Sequence, residues 1–247
     1  MAVIVNGEGI SLQEFQAEVQ RYLQIQAENG QPVDEVQAAS IVLNDLVEQL
    51  LLAQGAASEG YVVDDAALQA RLDALGAQIG GAQALAAWQA AHGYTDAEFR
   101  SALRRQIAAA WMRDRIRASV PTVAEQVHVR QMRFATQAQA QQALQKLESG
   151  WAFDLLARQI DPLAGGELGW FPRGYLFYPE LEAAAFALQP GQYSGIIQTP
   201  IGYHILYLVE RDPARPLTEE ALLALQEKAL QEWLTQRLNA STIIVSP

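Results

Sequence analysis

Gly165-Gly166-Glu167-Leu168-Gly169-Trp170-Phe171, followed further on by Thr199-Pro200-Ile201-Gly202-Tyr203-His204, is the part of this 247-residue chain from which a fold is read most directly. The paired glycines allow a sharp passage that other residues resist, and a short apolar run follows them. Upstream, Val127-His128-Val129-Arg130-Gln131-Met132-Arg133-Phe134 alternates with the period of a strand. Between these stretches the spacing predicts a helix over about 136–149, ending at Gly150, and a short one over about 152–159. Downstream it predicts a helix over about 179–187, a turn at Pro190-Gly191 and a β-rich run over about 202–209. Pro213 and Pro216 are expected to bracket a linker. The element order from 123 to 212 is thus β-α-α-β-α-β-β.

The flanks have a different period. Val3-Ile4-Val5 reads as a short strand closed by a turn at Asn6-Gly7. Ser11-Leu12-Gln13-Glu14 reads as a capping box that opens a helix with Phe15, Val19, Tyr22 and Leu23 on one side. A second helix is expected over about 34–57, its stripe formed by Val36, Leu43, Leu46, Val47, Leu50 and Leu51. Two more cover about 64–79 and 81–91, separated by Gly80-Gly81. Thr95-Asp96-Ala97-Glu98 is another capping box, opening a long helix that Pro121 stops. Residues 217–239 predict a last helix with Leu222, Leu225, Leu230, Trp233 and Leu234. Thr242-Ile243-Ile244-Val245 then forms a second isolated strand. Neither terminal strand is stable alone, so the two are expected to pair. The fold class expected is α+β. Residues 1–122 and 213–247 make one helical module, and 123–212 is inserted into it.

Half the residues are hydrophobic (50%) and 18% are charged, with a formal net charge of −11. That is ordinary for a globular protein with a real core. A nucleic-acid partner is not expected, because phosphate binding needs clustered Lys and Arg. The acid excess lies mainly outside residues 122–212. There is no cysteine, which removes disulfides, thiolate nucleophiles and zinc–thiolate sites together. Three scattered histidines give no expected metal site. No unbroken run long enough to span a membrane is expected. The abrupt start, Met1-Ala2 running straight into a strand, suggests a chain from which a leader has been removed.

Taken in order, Trp151-Ala152-Phe153, Leu156-Ala157, Asp161-Pro162, the Gly-Gly-x-Leu-Gly-Trp-Phe run, Arg173-Gly174, Glu182-Ala183-Ala184-Ala185-Phe186 and Gly202-Tyr203-His204-Ile205 resemble the parvulin-type prolyl isomerase family over roughly ninety residues. The flanking layout is similar to that of SurA-type and PrsA-type foldases, in which a helical chaperone module built from both termini accompanies the parvulin domain. The resemblance implies an FKBP-like fold for the inserted domain, no cofactor, and unfolded or proline-containing polypeptide clients. It also implies an extracytoplasmic setting, the cell envelope, where a leader would serve as the membrane anchor.

The reaction it implies needs no nucleophile. Amide resonance sets a barrier of about 18–20 kcal/mol, and lowering it takes an apolar seat for the proline ring, few waters, and hydrogen bonds that favour the twisted amide. Carried over by motif, the seat is Leu168, Leu176 and Leu181, with Phe186 beside it, and the polar cluster is Asp161, His204, Thr199 and Gln131. The family commonly has Met and Phe where Leu176 and Leu181 stand, and a histidine where Gln131 stands. Glutamine both donates and accepts but does not titrate near neutral pH, which implies weakened isomerase activity. Two functions stay open on the residues alone: a foldase that isomerises prolyl bonds, and a chaperone or assembly factor whose degenerate parvulin domain only binds clients.

Overall fold

The computed structural model describes residues 1–245. The elements are β1 (Val3–Val5), β2 (Glu8–Ile10), α1 (Leu12–Glu28), α2 (Glu35–Ser58), α3 (Asp65–Ile79), α4 (Ala82–Ala91), α5 (Asp96–Ala118), β3 (Val123–Phe134), α6 (Gln137–Glu148), α7 (Phe153–Ile160), β4 (Glu167–Pro172), α8 (Pro179–Ala187), β5 (Ile197–Thr199), β6 (Gly202–Pro216), α9 (Glu219–Ala240) and β7 (Ile243–Val245). The chain is α+β. It divides into two compact units, one of residues 1–119 with the segment from Ala229 on, the other Val120–Lys228.

In the first unit the termini meet. β1 lies between β2 and β7, antiparallel to both, with Val3 opposite Val245 and Val5 opposite Ile243. The terminal pairing expected from the sequence is therefore present. β2 is an addition: Glu8-Gly9-Ile10 was not expected as a strand, and Asn6-Gly7 is the turn of a hairpin rather than an end. The buried Val3, Val5 and Ile10 rest on α1 and α2 through Val19, Val42, Leu46 and Leu50. Ser11 caps α1 by accepting the Glu14 N–H at 3.0 Å. The expected box is only half formed, because the Glu14 carboxylate turns to Arg105 at 2.6 Å. At Thr95 both halves are present. The α2 stripe needs one correction: Val36 is exposed, and Val42 and Ala38 are buried instead, since Val36 lies in the first turn, beyond the helices that cover the rest. α2 is long and apolar enough to cross a membrane by length and composition. In this fold its stripe packs on α1, α5 and β1. From Ala229 on, α9 contributes Leu230 and Leu234 to a cluster with Leu52, Ala56, Met112 and Ile116.

The second unit is a four-stranded antiparallel sheet in the order β4-β3-β6-β5. Alternate residues of β3 and β6 serve opposite faces. On one face Met132 and Ile205 pack with Ala143 and Leu147 of α6 and Phe153 and Leu156 of α7. On the other Val127, Val129, Leu206 and Leu208 pack with Leu181, Ala185 and Phe186 of α8. Residues 213–216, expected as linker, instead continue β6: Arg215 and Pro216 pair with Ala124 and Val123. Pro213 is tolerated because it falls where the register shifts opposite Glu125, so its missing N–H leaves no ladder position empty. Buried Gln126 closes this extension by donating to the carbonyls of Arg215 and Pro216.

Candidate functional site

The register of β3 and β6 sets the polar cluster. Gln131 stands opposite Leu206, and Arg133 opposite His204. Opposed residues, and residues two apart on a strand, share a face. Gln131, Arg133 and His204 therefore lie on the α8 face. Thr199, at the end of β5, opposes Gly202 and closes the hairpin that leads to His204. Gly202, at φ +133°, has no room for a side chain, because a Cβ there would overlap the Phe134 carbonyl oxygen.

His204 is only 1% exposed. Its Nε2 lies 2.9 Å from Thr199 Oγ1 and its Nδ1 3.3 Å from Gln131 Oε1. With the amide oxygen of Gln131 facing the ring, the proton sits on Nδ1, and the Thr199 hydroxyl donates to Nε2. A half-turn of the Gln131 amide reverses every donor, sending the Thr199 proton to the Gly202 carbonyl at 3.4 Å. Both arrangements keep the 2.9 and 3.3 Å contacts to the ring. Burial pushes the His204 pKa below its ordinary value, Arg133 adds to this and Glu180 opposes it. The ring is neutral at pH 7.

Leu168, Leu176, Leu181 and Phe186 all belong to the apolar cluster on this same face. Leu181 and Phe186 are buried, while Leu168 and Leu176 are half-buried. Phe186 is covered: the Arg173 guanidinium stands 4.0 Å from its ring centre and Phe171 meets it edge-on. Phe177, next to Leu176, is 86% exposed.

Asp161 is bound elsewhere. It caps α7, and its carboxylate accepts from Ala164 N at 3.0 Å and Gly166 N at 3.2 Å. Those N–H groups hold its carboxyl below the usual range, Ala164 foremost. Among the described residues it shares no hydrogen bond with His204, Thr199 or the Gln131 side chain. Its link is through backbone: the Gly166 carbonyl accepts the Gln131 N–H at 2.7 Å. Gly166 has φ +76°, and a Cβ there would overlap the Gln131 carbonyl oxygen. This explains the glycine in the motif.

Glu182 belongs to the Glu182-Ala183-Ala184-Ala185-Phe186 motif, and the sequence alone assigns it no role. Its Oε2 accepts from Gly174 N at 2.7 Å and Leu176 N at 3.3 Å, fixing the loop that carries Leu176 to the first turn of α8. A carboxylate in a helix's first turn, near a glycine turn, is the one signal that could have found it. His128, assigned to no site, places Nε2 2.5 Å from Glu167 and stacks on Trp170. Among the described residues no group of three or more His, Cys, Asp or Glu side chains is gathered as metal ligands would be.

A buried neutral imidazole, a hydroxyl and an amide beside an apolar cluster, on one face of a β4-β3-β6-β5 sheet, define a parvulin-type domain. Residues 120–210 match the PPIC-type PPIASE domain family, and residues 1–102 match the SurA-like N-terminal domain family. The chain carries a PPIC-type parvulin domain together with a SurA-like N-terminal domain. It is 33% identical over 118 residues to the chaperone SurA of Thiobacillus denitrificans, covering 43% of this chain and 27% of that protein. It is 37% identical over 86 residues to the foldase protein PrsA 2 of Bacillus anthracis, covering 33% of this chain and 30% of that protein. The chain thus spans less than a third of the length of either relative. The crystal structure of the peptidylprolyl isomerase PrsA from Bacillus cereus has the same fold, with a TM-score of 0.52 and 22% identity, covering 93% of this chain and 82% of that one.

Proposed function

We propose that this protein is a foldase: residues 120–210 isomerise the peptide bond before proline in unfolded polypeptide clients, and the helical unit holds those clients. The observation that carries the proposal is the His204 hydrogen-bond chain, with Thr199 on one ring nitrogen and Gln131 on the other, on the face that also gathers Leu168, Leu176 and Leu181. In this reading the three leucines seat the proline ring and Phe186 backs them. The ring of His204, held by Thr199 and Gln131, sets the polarity felt by the twisting amide. Asp161 acts at one remove, holding the Gly166 turn against the Gln131 backbone. The parvulin domain is an insertion in a module made from both termini. An extracytoplasmic place of work belongs to the same proposal, on the strength of the likeness to SurA and PrsA.

A second reading, a parvulin domain that binds clients without turnover, has one observation in its favour: Gln131 cannot change charge as a histidine can. Isomerisation of a short Xaa-Pro peptide separates the two. The foldase reading expects wild-type acceleration and its loss in His204→Ala. No acceleration by wild type, with binding of the same peptide retained, favours the second.

A further inference from the structure

We infer that Arg133 makes this site select clients with an acidic residue immediately before the proline. The inference rests on the isomerase site proposed above and adds its specificity.

The geometry runs along one sheet face. On β3 the order is Val127, Val129, Gln131, Arg133, and on β6 it is Leu208, Leu206, His204. Val127, Val129, Leu206 and Leu208 lie in the apolar cluster with Leu181 and Phe186. Gln131 and His204 form the polar chain at its border. Arg133 lies two residues beyond Gln131, about 7 Å further from the apolar cluster. A proline ring seated on the leucines puts its amide over Gln131 and His204. The residue before proline then extends away from the seat, toward Arg133.

Arg133 is free to receive it. Its side chain is exposed, and among the described residues it makes no ion pair or hydrogen bond. By contrast Arg130 and Arg211 on the same two strands are held by Asp154 and Glu125. Arg133 presents five donors in a planar fork that matches a carboxylate. It is also the charge with the largest effect on His204, ahead of the opposing Glu180. Glu180, on α8, would favour a basic residue instead; Arg133 stands in register directly opposite His204 on the neighbouring strand, and that adjacency sets the direction of the preference.

The test is the catalysed isomerisation of Ala-Glu-Pro, Ala-Ala-Pro and Ala-Lys-Pro peptides by the full chain. At low salt the Glu peptide should exceed the Lys peptide in kcat/KM by about three- to tenfold, the range exposed charge pairs of both signs give together. The ratio should fall toward 1 at about 1 M salt, reach 1 or drop below it in Arg133→Leu, where Glu180 is left unopposed, and invert in Arg133→Glu. A Glu/Lys ratio unchanged in Arg133→Leu, or a wild-type preference for Lys, overturns the inference. Failure of the isomerase reading shows separately, as no acceleration of any peptide. In that case NMR titration of the same peptides decides: tighter binding of the Glu peptide that is lost in Arg133→Leu sustains the selection, and equal binding overturns it.

Discussion

A glutamine at position 131 limits what the site does with protons. It bonds His204 Nδ1 at 3.3 Å, longer than the 2.9 Å bond from Thr199. Replacing it with histidine supplies a ring of fixed shape able to donate or accept, and one improved hydrogen bond is worth about 1 kcal/mol. Gln131→His should therefore raise kcat/KM for an Ala-Ala-Pro peptide by about fivefold; no change would show that the glutamine is a full substitute. His204 supplies a pH prediction. Its folded pKa lies below 6.5, from burial first and Arg133 second. The unfolded chain then binds a proton that the folded one refuses, so the contribution is full above pH 6.5 and is lost as pH falls from there to the lowered folded value. An NMR titration should find a His204 midpoint below 6.5, moving up in Arg133→Leu. A midpoint at or above 6.5 in wild type would contradict the burial argument.

Elements place these residues, and much of their placement was legible. The capping signals at Ser11 and Thr95 marked real helix starts because a side-chain oxygen three residues ahead of a free N–H is a local device. Alternation found β3 from Val127 on. It missed residues 123–126 because Glu125 and Gln126 are polar, and their partners, Arg211 and the carbonyls of Arg215 and Pro216, lie some ninety residues away. For the same reason residues 213–216 read as linker. His204, Thr199 and Gln131 were found by motif, and the sheet brings them together. Asp161 and Glu182 were not separable from sequence: two carboxylates near glycine turns look alike, yet one caps its own turn and the other clamps a loop. Glu182→Ala should leave the Gly174 and Leu176 N–H groups without their acceptor, costing about 1–3 kcal/mol, and should raise KM more than it lowers kcat. An unchanged KM would mean the loop holds itself. Gly166→Ala combines a left-handed φ with overlap on the Gln131 carbonyl oxygen, and chemical denaturation should show a loss of about 3 kcal/mol.

At the scale of the molecule the first strand pairs with the last, and the unit that carries the polar cluster lies between them in sequence. This pairing was legible because the sequence shows one short isolated strand at each end of flanks that otherwise read as helical, although β1 also takes β2 as a hairpin partner. Ending the chain at Ser241 removes β7 and strips the β1 edge beside buried Val3 and Val5. Calorimetry should show the transition of the helical unit about 5–10 °C lower, while the midpoint of the parvulin unit stays unchanged; equal losses in both would mean that the two do not melt separately. Exchange NMR on an Ala-Xaa-Pro peptide measures its cis–trans rate directly, against an uncatalysed process of tens to hundreds of seconds. Catalytic amounts of wild type should speed the exchange, and His204→Ala, folded to the same degree, should not. An exchange rate with wild type equal to that of the peptide alone would contradict it.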